Sequence, residues 1–256
     1  MNISEQLAKL YMQALVAPIK ATPSVYKYLT YESGLKMLDA CNIQFTRAAK
    51  LNDCMDCCAE KVDYSDFKLQ HLSFIDPQLV KDATLNKDRQ VFSNYGVCSL
   101  GTSADNNTLW ERYTQNGSVK NNGICIELDT NGILHYLNSD SNPNKICALY
   151  VNYFDNITAS IPRSLLTSDK LIFRLHFMSQ IIATKNKIDP ISGFNWEAEK
   201  ELRFIYLYEL KKDYLRIPIP KNCIKRVWCD KDISLKEFQD LNTLVKGKYQ
   251  LDITRR

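Results

Sequence analysis

CSLGTSADNNTLWERY at 98–113, followed after a short polar stretch by NNGICIELD at 121–129, is the part of the chain whose reading decides its fold. The residues at 96–100 are small or apolar and read as a strand, TSADNN has turn composition, 108–113 reads as a short helix, and 123–128 alternates Ile124, Ile126 and Leu128 with Cys125 and Glu127 as a second strand. Trp110 and Tyr113 fall three apart, so they share one helical face. Two readings stay open for that pair: rings that cap the sheet, or a flat platform for a planar ligand, since both side chains are amphipathic and common at half-buried sites.

Outward from this centre the same alternation of short strands and helices continues. SVYKYLT at 24–30 is a β-branched and aromatic run after Pro23, a helix is expected over 33–40 and a strand over 43–46. Residues 51–94 are polar and irregular, with helical hints at 67–72 and a helix start at Asp76 and Pro77. A helix is expected near 130–136 and a strand over 146–154. The strongest helical pattern is 164–185, where Leu165, Leu166, Leu171, Ile172, Leu175, Phe177, Met178, Ile181 and Ile182 recur. Strands follow at 202–210, 214–219 and 224–229, then a helix at 234–245 ended by Gly247, and a strand at 249–254. The expectation is therefore an α+β fold: a single mixed-sheet domain over 1–256, with an N-terminal helix within 1–20 (periodic over 3–16) and insertions at 54–94 and 155–195. No Pro/Gly/Ser-rich or charge-block linker divides the 256 residues.

Composition narrows the classes. With 45% hydrophobic and 24% charged residues the chain is ordinary globular protein, not a disordered or collagen-like one. The net charge of +4, from 33 basic and 29 acidic residues, is too small an excess to point by itself to nucleic acid. The longest apolar runs, such as 146–151, fall far short of the roughly 20 residues that span a bilayer, so a soluble protein is expected. Nine cysteines, an odd number scattered through strand patterns, suit a reducing cytoplasm. The Cys54, Cys57, Cys58 cluster has no second pair at zinc-finger spacing, and His71, His135 and His176 lie far apart, so a packed or surface cluster is favoured over a metal site.

Two further stretches could carry chemistry. In YKY at 26–28, strand alternation puts Lys27 on one face and Tyr26 and Tyr28 on the other; Lys27 is either solvated or a cation facing a cleft, where it could hold an anion. In WEAEKELRFIYL at 196–207, Glu197, Glu199 and Glu201 alternate and are expected on one face of a strand, where like charges need water, a cation such as Arg203, or a ligand beside them. Closely placed carboxylates are what glycosidic-bond chemistry uses, because its transition state carries positive charge at the anomeric carbon.

Taken together, YKYLT at 26–30, IQFTRAAKLND at 43–53, CSLG at 98–101, LWERY at 109–113, GICIELD at 123–129, and Lys185 leading to WEAEKELR at 196–203 resemble, in order and spacing, the bacterial family known as domain of unknown function 2971. The C-terminal IKRVWC strand and the helix after it fit as well. That family's usual Asn-Asp-Pro stands here as Asn52, Asp53, Cys54. More distantly, the layout is similar to ADP-ribosyltransferases. That resemblance implies an NAD-consuming enzyme in which Tyr26, Lys27, Tyr28, Ser99, Trp110 and Tyr113 bind NAD and Glu199 and Glu201 are catalytic, although neither His nor Arg stands at 26–28. It also implies a protein or nucleic-acid acceptor, a toxin or phage-defence role with a cognate antitoxin or regulator, and no membrane association. The competing expectations are a nucleotide or nucleic-acid hydrolase, with Glu199, Glu201 and Asp53 or Asp56 around a divalent cation, and a non-catalytic partner-binding protein.

Overall fold

Pairing along β4 (Tyr95–Gly101) organises the molecule, because strands from distant parts of the sequence meet on its two edges. The computed structural model describes residues 22–51, 56–57, 62–63, 77–115, 122–155, 161–162 and 181–256. In chain order the described elements begin with β1 (Ser24–Thr30), α1 (Tyr31–Ala40), β2 (Asn42–Arg47), β3 (Val62–Asp63) and α2 (Pro77–Ser93). After β4 come α3 (Asn107–Tyr113), β5 (Gly123–Asp129), α4 (Thr130–Leu137), β6 (Ile146–Tyr150), β7 (Asn152–Phe154), β8 (Ile161–Pro162) and β9 (Thr184–Asn186). The chain continues through β10 (Glu201–Glu209), β11 (Tyr214–Pro218), β12 (Ile224–Cys229), α5 (Leu235–Tyr249) and β13 (Ile253–Arg255). Among the described residues nine strands form one sheet in the order β11-β2-β4-β1-β5-β12-β13, with β10 on β4 and β6 on β10; β3 with β8 and β7 with β9 make two small pairs. The α+β class expected from the sequence is what is found.

Each element has a local cause. Thr30 Oγ1 accepts from the Ser33 amide and starts α1, and Cys41 in the left-handed region (φ 49°) ends it. Ser234 and Glu237 form a reciprocal capping box at the start of α5. Gly247 does not end that helix, as the sequence reading had it: α5 runs on to Tyr249 and stops at Gln250 (φ 58°).

Alternation along the strands gives the sheet two apolar faces. On one, α1, α4 and α5 bury Met37, Leu38, Ile133, Leu137, Leu241 and Val245 against Val25, Ile43, Phe45, Leu100, Ile124, Ile126 and Phe204. On the other, Phe92 of α2 and Ile181–Ala183 cover Val97, Cys147 and Ile205, while Leu109 and Trp110 of α3 cover Tyr28 and Cys125. The seven described cysteines, Cys41, Cys57, Cys98, Cys125, Cys147, Cys223 and Cys229, are buried; most serve in these layers as small hydrophobes.

Several boundaries move. The strand expected over 146–154 breaks at Val151, whose amide bonds the Glu201 carbonyl, and β7 leaves to pair with β9. The helix expected over 164–185 cannot reach its end, because Thr184 and Lys185 are in β9; its body at 163–180, the helix at 3–16 and the hint at 67–72 lie outside the described residues, as do Asp53, Cys54 and Cys58. The last strand is shorter than 249–254, with Tyr249 still in α5.

Candidate functional site

One edge of β4 pairs along its length with β10; the other is shared. β2 takes Gly96 and Val97, and β1 takes Gly101, through Tyr26. Between those contacts β1 and β2 splay apart and the ladder is open. Lys27 Nζ crosses the opening to donate to the Ser99 carbonyl at 2.9 Å, replacing a strand amide. At the end of the seam Gly101 leaves room for the helix above it: a Cβ there would sit 2.6 Å from Leu109 Cδ1 and 3.1 Å from Tyr28 Cε2.

The turn after β4 is held by polar contacts. Tyr28 donates its hydroxyl to the Ser103 carbonyl at 2.5 Å, and Trp110 Nε1 donates to the Ala104 carbonyl at 2.8 Å. Asn106 caps α3 by accepting from the Leu109 amide, and its Nδ2 donates to the carbonyls of Ala198 and Glu199 at 2.9 and 3.1 Å. One side chain therefore starts the helix that carries Tyr113 and fixes the turn that carries Glu199.

That turn corrects a sequence expectation. Glu197, Glu199 and Glu201 do not alternate along one strand, because Trp196–Glu199 is a 3-10 turn, Lys200 lies in the left-handed region (φ 47°), and β10 begins only at Glu201. Glu197 is half exposed at its side chain, while Glu199 and Glu201 are 2% and 5% exposed. The compensation for two buried acids is a buried network. Arg203 holds Glu201 through Nε–Oε1 (2.8 Å) and Nη2–Oε2 (3.0 Å), holds Asp56 through Nη1–Oδ1 (2.8 Å) and Nη2–Oδ2 (2.5 Å), and donates to the Ile182 carbonyl. Lys185 Nζ lies 3.4 Å from Glu199, 3.8 Å from Glu201 and 3.9 Å from Asp56, against the Trp196 ring. Tyr113 donates to Glu199 Oε1 at 2.8 Å, and Arg112 stacks over Phe194 and Trp196 with its Nε 3.8 Å from the same oxygen.

The two glutamates are driven apart in acidity. Burial pushes the Glu199 carboxyl above its ordinary value, with Lys185 pulling it back and Glu201 adding to the rise. Burial acts the same way on Glu201, but Arg203 and then Lys185 outweigh it and hold that carboxyl below the ordinary value. Tyr153, whose hydroxyl accepts from the Glu201 amide at 3.1 Å, is raised by burial and by the Glu201 charge.

A slot of about 50 Å³ lies at the seam, lined by Tyr26, Lys27, Tyr28, Ser99, Leu109, Tyr113, Glu199 and Glu201 among others. A cleft of about 500 Å³ adjoins it, bounded by Ser24, Tyr26, Thr102, Tyr150, Tyr153, Lys200 and Glu201. The two share Tyr26 and Glu201. Of the residues that the ADP-ribosyltransferase resemblance names, all but Trp110 line the slot. Trp110 is 2% exposed and meets the Tyr28 ring edge-on at 5.3 Å, so it backs the wall and offers no ring face to a ligand. The slot alone is also too small for a nucleotide; only the adjoining cleft has that size. Sequence reasoning missed Asn106, Arg112, Trp196 and the role of Lys185, since nothing in their local spacing announces partners as far as 129 residues away. Among the described residues no three His, Cys, Asp or Glu side chains are placed to hold a metal ion. The Asp56, Glu199 and Glu201 trio named for the hydrolase alternative surrounds an ammonium and a guanidinium.

No family model and no curated protein matches the chain. Among solved structures it is similar to Thermus sp. 2.9 DarT in complex with NAD+, at 7% identity and a TM-score of 0.38 over 92% of this chain and 96% of that one. It is likewise similar to Thermus sp. 2.9 DarT in complex with carba-NAD+, at 8% identity and a TM-score of 0.35 over 91% and 94%. At such values the likeness assigns neither family nor ligand, and the motif resemblance rests on the motifs alone.

Proposed function

We propose that this chain is an NAD-dependent ADP-ribosyltransferase that modifies a protein or nucleic acid, acting in the cytoplasm as a toxin or phage-defence effector with a cognate antitoxin or regulator. The observation that carries the reading is that Glu199 and Glu201, both buried, converge with Tyr26, Lys27, Tyr28, Ser99 and Tyr113 on one narrow slot that adjoins a nucleotide-sized cleft. NAD bound across the two cavities sets its nicotinamide in the slot among the tyrosines, with the body of the dinucleotide in the cleft. Conformational adjustment of the slot accompanies entry, since its present volume is below that of the ring.

In the reaction the bond between ribose C1′ and the nicotinamide nitrogen breaks, and its electron pair stays on that nitrogen, cancelling the ring's positive charge. Glu201, kept ionised by Arg203, faces the cation that develops at C1′, where low exposure strengthens its field. The acceptor's nucleophile bonds to C1′, and its proton passes to Glu199, whose carboxylate burial makes a stronger base than an exposed one. Lys27 and Ser99 fix the seam behind the ring. Incubation of purified protein with labelled NAD and whole-cell lysate tests the reading: label in the protein or nucleic-acid fraction, lost in Glu201→Gln, is expected. In Glu199→Gln transfer falls while slow NAD hydrolysis persists. Parent-level NAD turnover by Glu201→Gln refutes the assignment of Glu201.

A further inference from the structure

Arg203 already satisfies two of the site's three buried carboxylates at hydrogen-bonding distance, Asp56 and Glu201. Glu199 receives none of that fork. Its buried counter-charge is Lys185, 3% exposed, with Nζ 3.4 Å from Oε2; among the described residues the other carboxylates near that ammonium, on Glu201 and Asp56, are farther away. The Trp196 ring, its centroid 3.7 Å from Nζ, closes the other side of the ammonium, so Lys185 has little freedom to leave. Trp196 also belongs to the turn that carries Glu199, and β9 holds Lys185 through its pairing with β7.

We propose that Lys185 is a positioning residue of this site, supplying the charge that lets Glu199 act as a base and aiming its carboxylate at the slot. The role given to Glu199 rests on the ADP-ribosyltransferase reading; the coupling of Lys185 to Glu199 does not. Among the described residues the other charged or titratable groups around Glu199 are Arg112 and Tyr113 from α3, Lys27 from β1, Tyr153 from β7, Glu201 and Arg203 from β10, and Asp56. Three carboxylates share two buried cations there. Removing Lys185 leaves the Arg203 guanidinium, already bonded to the other two acids, as the buried cation, so Glu199 must bind a proton to stay buried.

The test is a cycle of Lys185→Met, Glu199→Gln and the double variant, followed by thermal unfolding at neutral pH, with carbon-13 NMR titration of the Glu199 carboxyl in the parent, Lys185→Met and Lys185→Arg. Lys185→Met is expected to lower the melting temperature, Glu199→Gln to restore part of that loss, and the Glu199 titration to move up by about one pH unit or more. Lys185→Arg keeps the titration near that of the parent. If Lys185→Met does not fold, folding of the double variant supports the coupling and its failure to fold overturns it. An equal effect of Glu199→Gln in both backgrounds, or an unmoved titration, also overturns the proposal. A parent protein that never cleaves NAD would sink the functional reading alone, since unfolding and titration still decide the coupling.

Discussion

Replacing Arg203 with Leu removes the cation that two buried acids share. Arg203 is 1% exposed and makes six donor contacts, four to carboxylate oxygens, one to the Ile182 carbonyl and a long one to Cys57 Sγ. Summing these bonds would overstate the loss, because each replaces a bond to water in the unfolded chain. The larger cost is the charge left behind on Glu201 and Asp56, and breaking such a pair costs about 3 to 5 kcal/mol. Lys185, 3.8 and 3.9 Å from those acids, offsets part of it and argues for the lower half of that range. At roughly 2 to 4 °C per kcal/mol for a protein of this size, the melting temperature falls by roughly 6 to 16 °C. Glu201 supplies the pH signature. Its carboxyl is held below the ordinary value, so its stabilisation is present above the unfolded-state value and is lost as pH falls through the folded one. Calorimetric melts of parent and variant from pH 7 down to about pH 2 should therefore show a gap widest at neutral pH that closes only below the unfolded-state value of about 4.3, as Glu201 takes its proton. A loss under about 1 kcal/mol, or a gap indifferent to pH, would refute the account of the network.

Gly123→Ala should destabilise by about 1 to 3 kcal/mol in a denaturant titration, because the new Cβ meets Thr114 Cβ at 2.2 Å and the Leu29 carbonyl at 2.7 Å, and backbone cannot swing aside. Gly247→Ala should do the reverse, raising stability by about 0.5 to 1 kcal/mol in the same titration, since the site is helical and open. Tyr113→Phe removes the hydroxyl that bonds Glu199 Oε1 and helps keep it ionised; on the proposed ADP-ribosyltransferase reading, the acid limb of the pH profile for transfer to the acceptor should move to higher pH with little change in melting temperature.

The parts of this molecule legible in sequence are those governed by neighbours in the chain. Strands at 24–30, 96–100 and 123–128 could be read because each has a buried face, and a short helix at 108–113 because a polar turn precedes it. Glu199 and Glu201 could be singled out, since three acids so close must be compensated, and Arg203 two residues on was the compensator. Their geometry was not legible: the 196–199 turn is held from outside the segment, by Asn106 on the Ala198 and Glu199 carbonyls and by Lys185 against the Trp196 ring. Periodicity likewise carried a helix through Lys185, where pairing with β7 makes a strand, and ended one at Gly247, where the sequence around it keeps turning. Lys185 and Asp56 join the site across 129 residues of sequence, a relation that only tertiary packing creates.

The seam along β4 means that part of the slot's polarity is written in main-chain atoms. The Ser99 carbonyl that receives Lys27 and the bare Gly101 backbone beneath Leu109 are there whatever side chain stands at 99. Drift at that position can alter how the slot is filled without erasing its acceptor, whereas a one-residue slip of β1 against β5 would carry Lys27 to the other face and leave the carbonyl bare. The acceptor side of the site thus depends on strand register more than on the residue at 99.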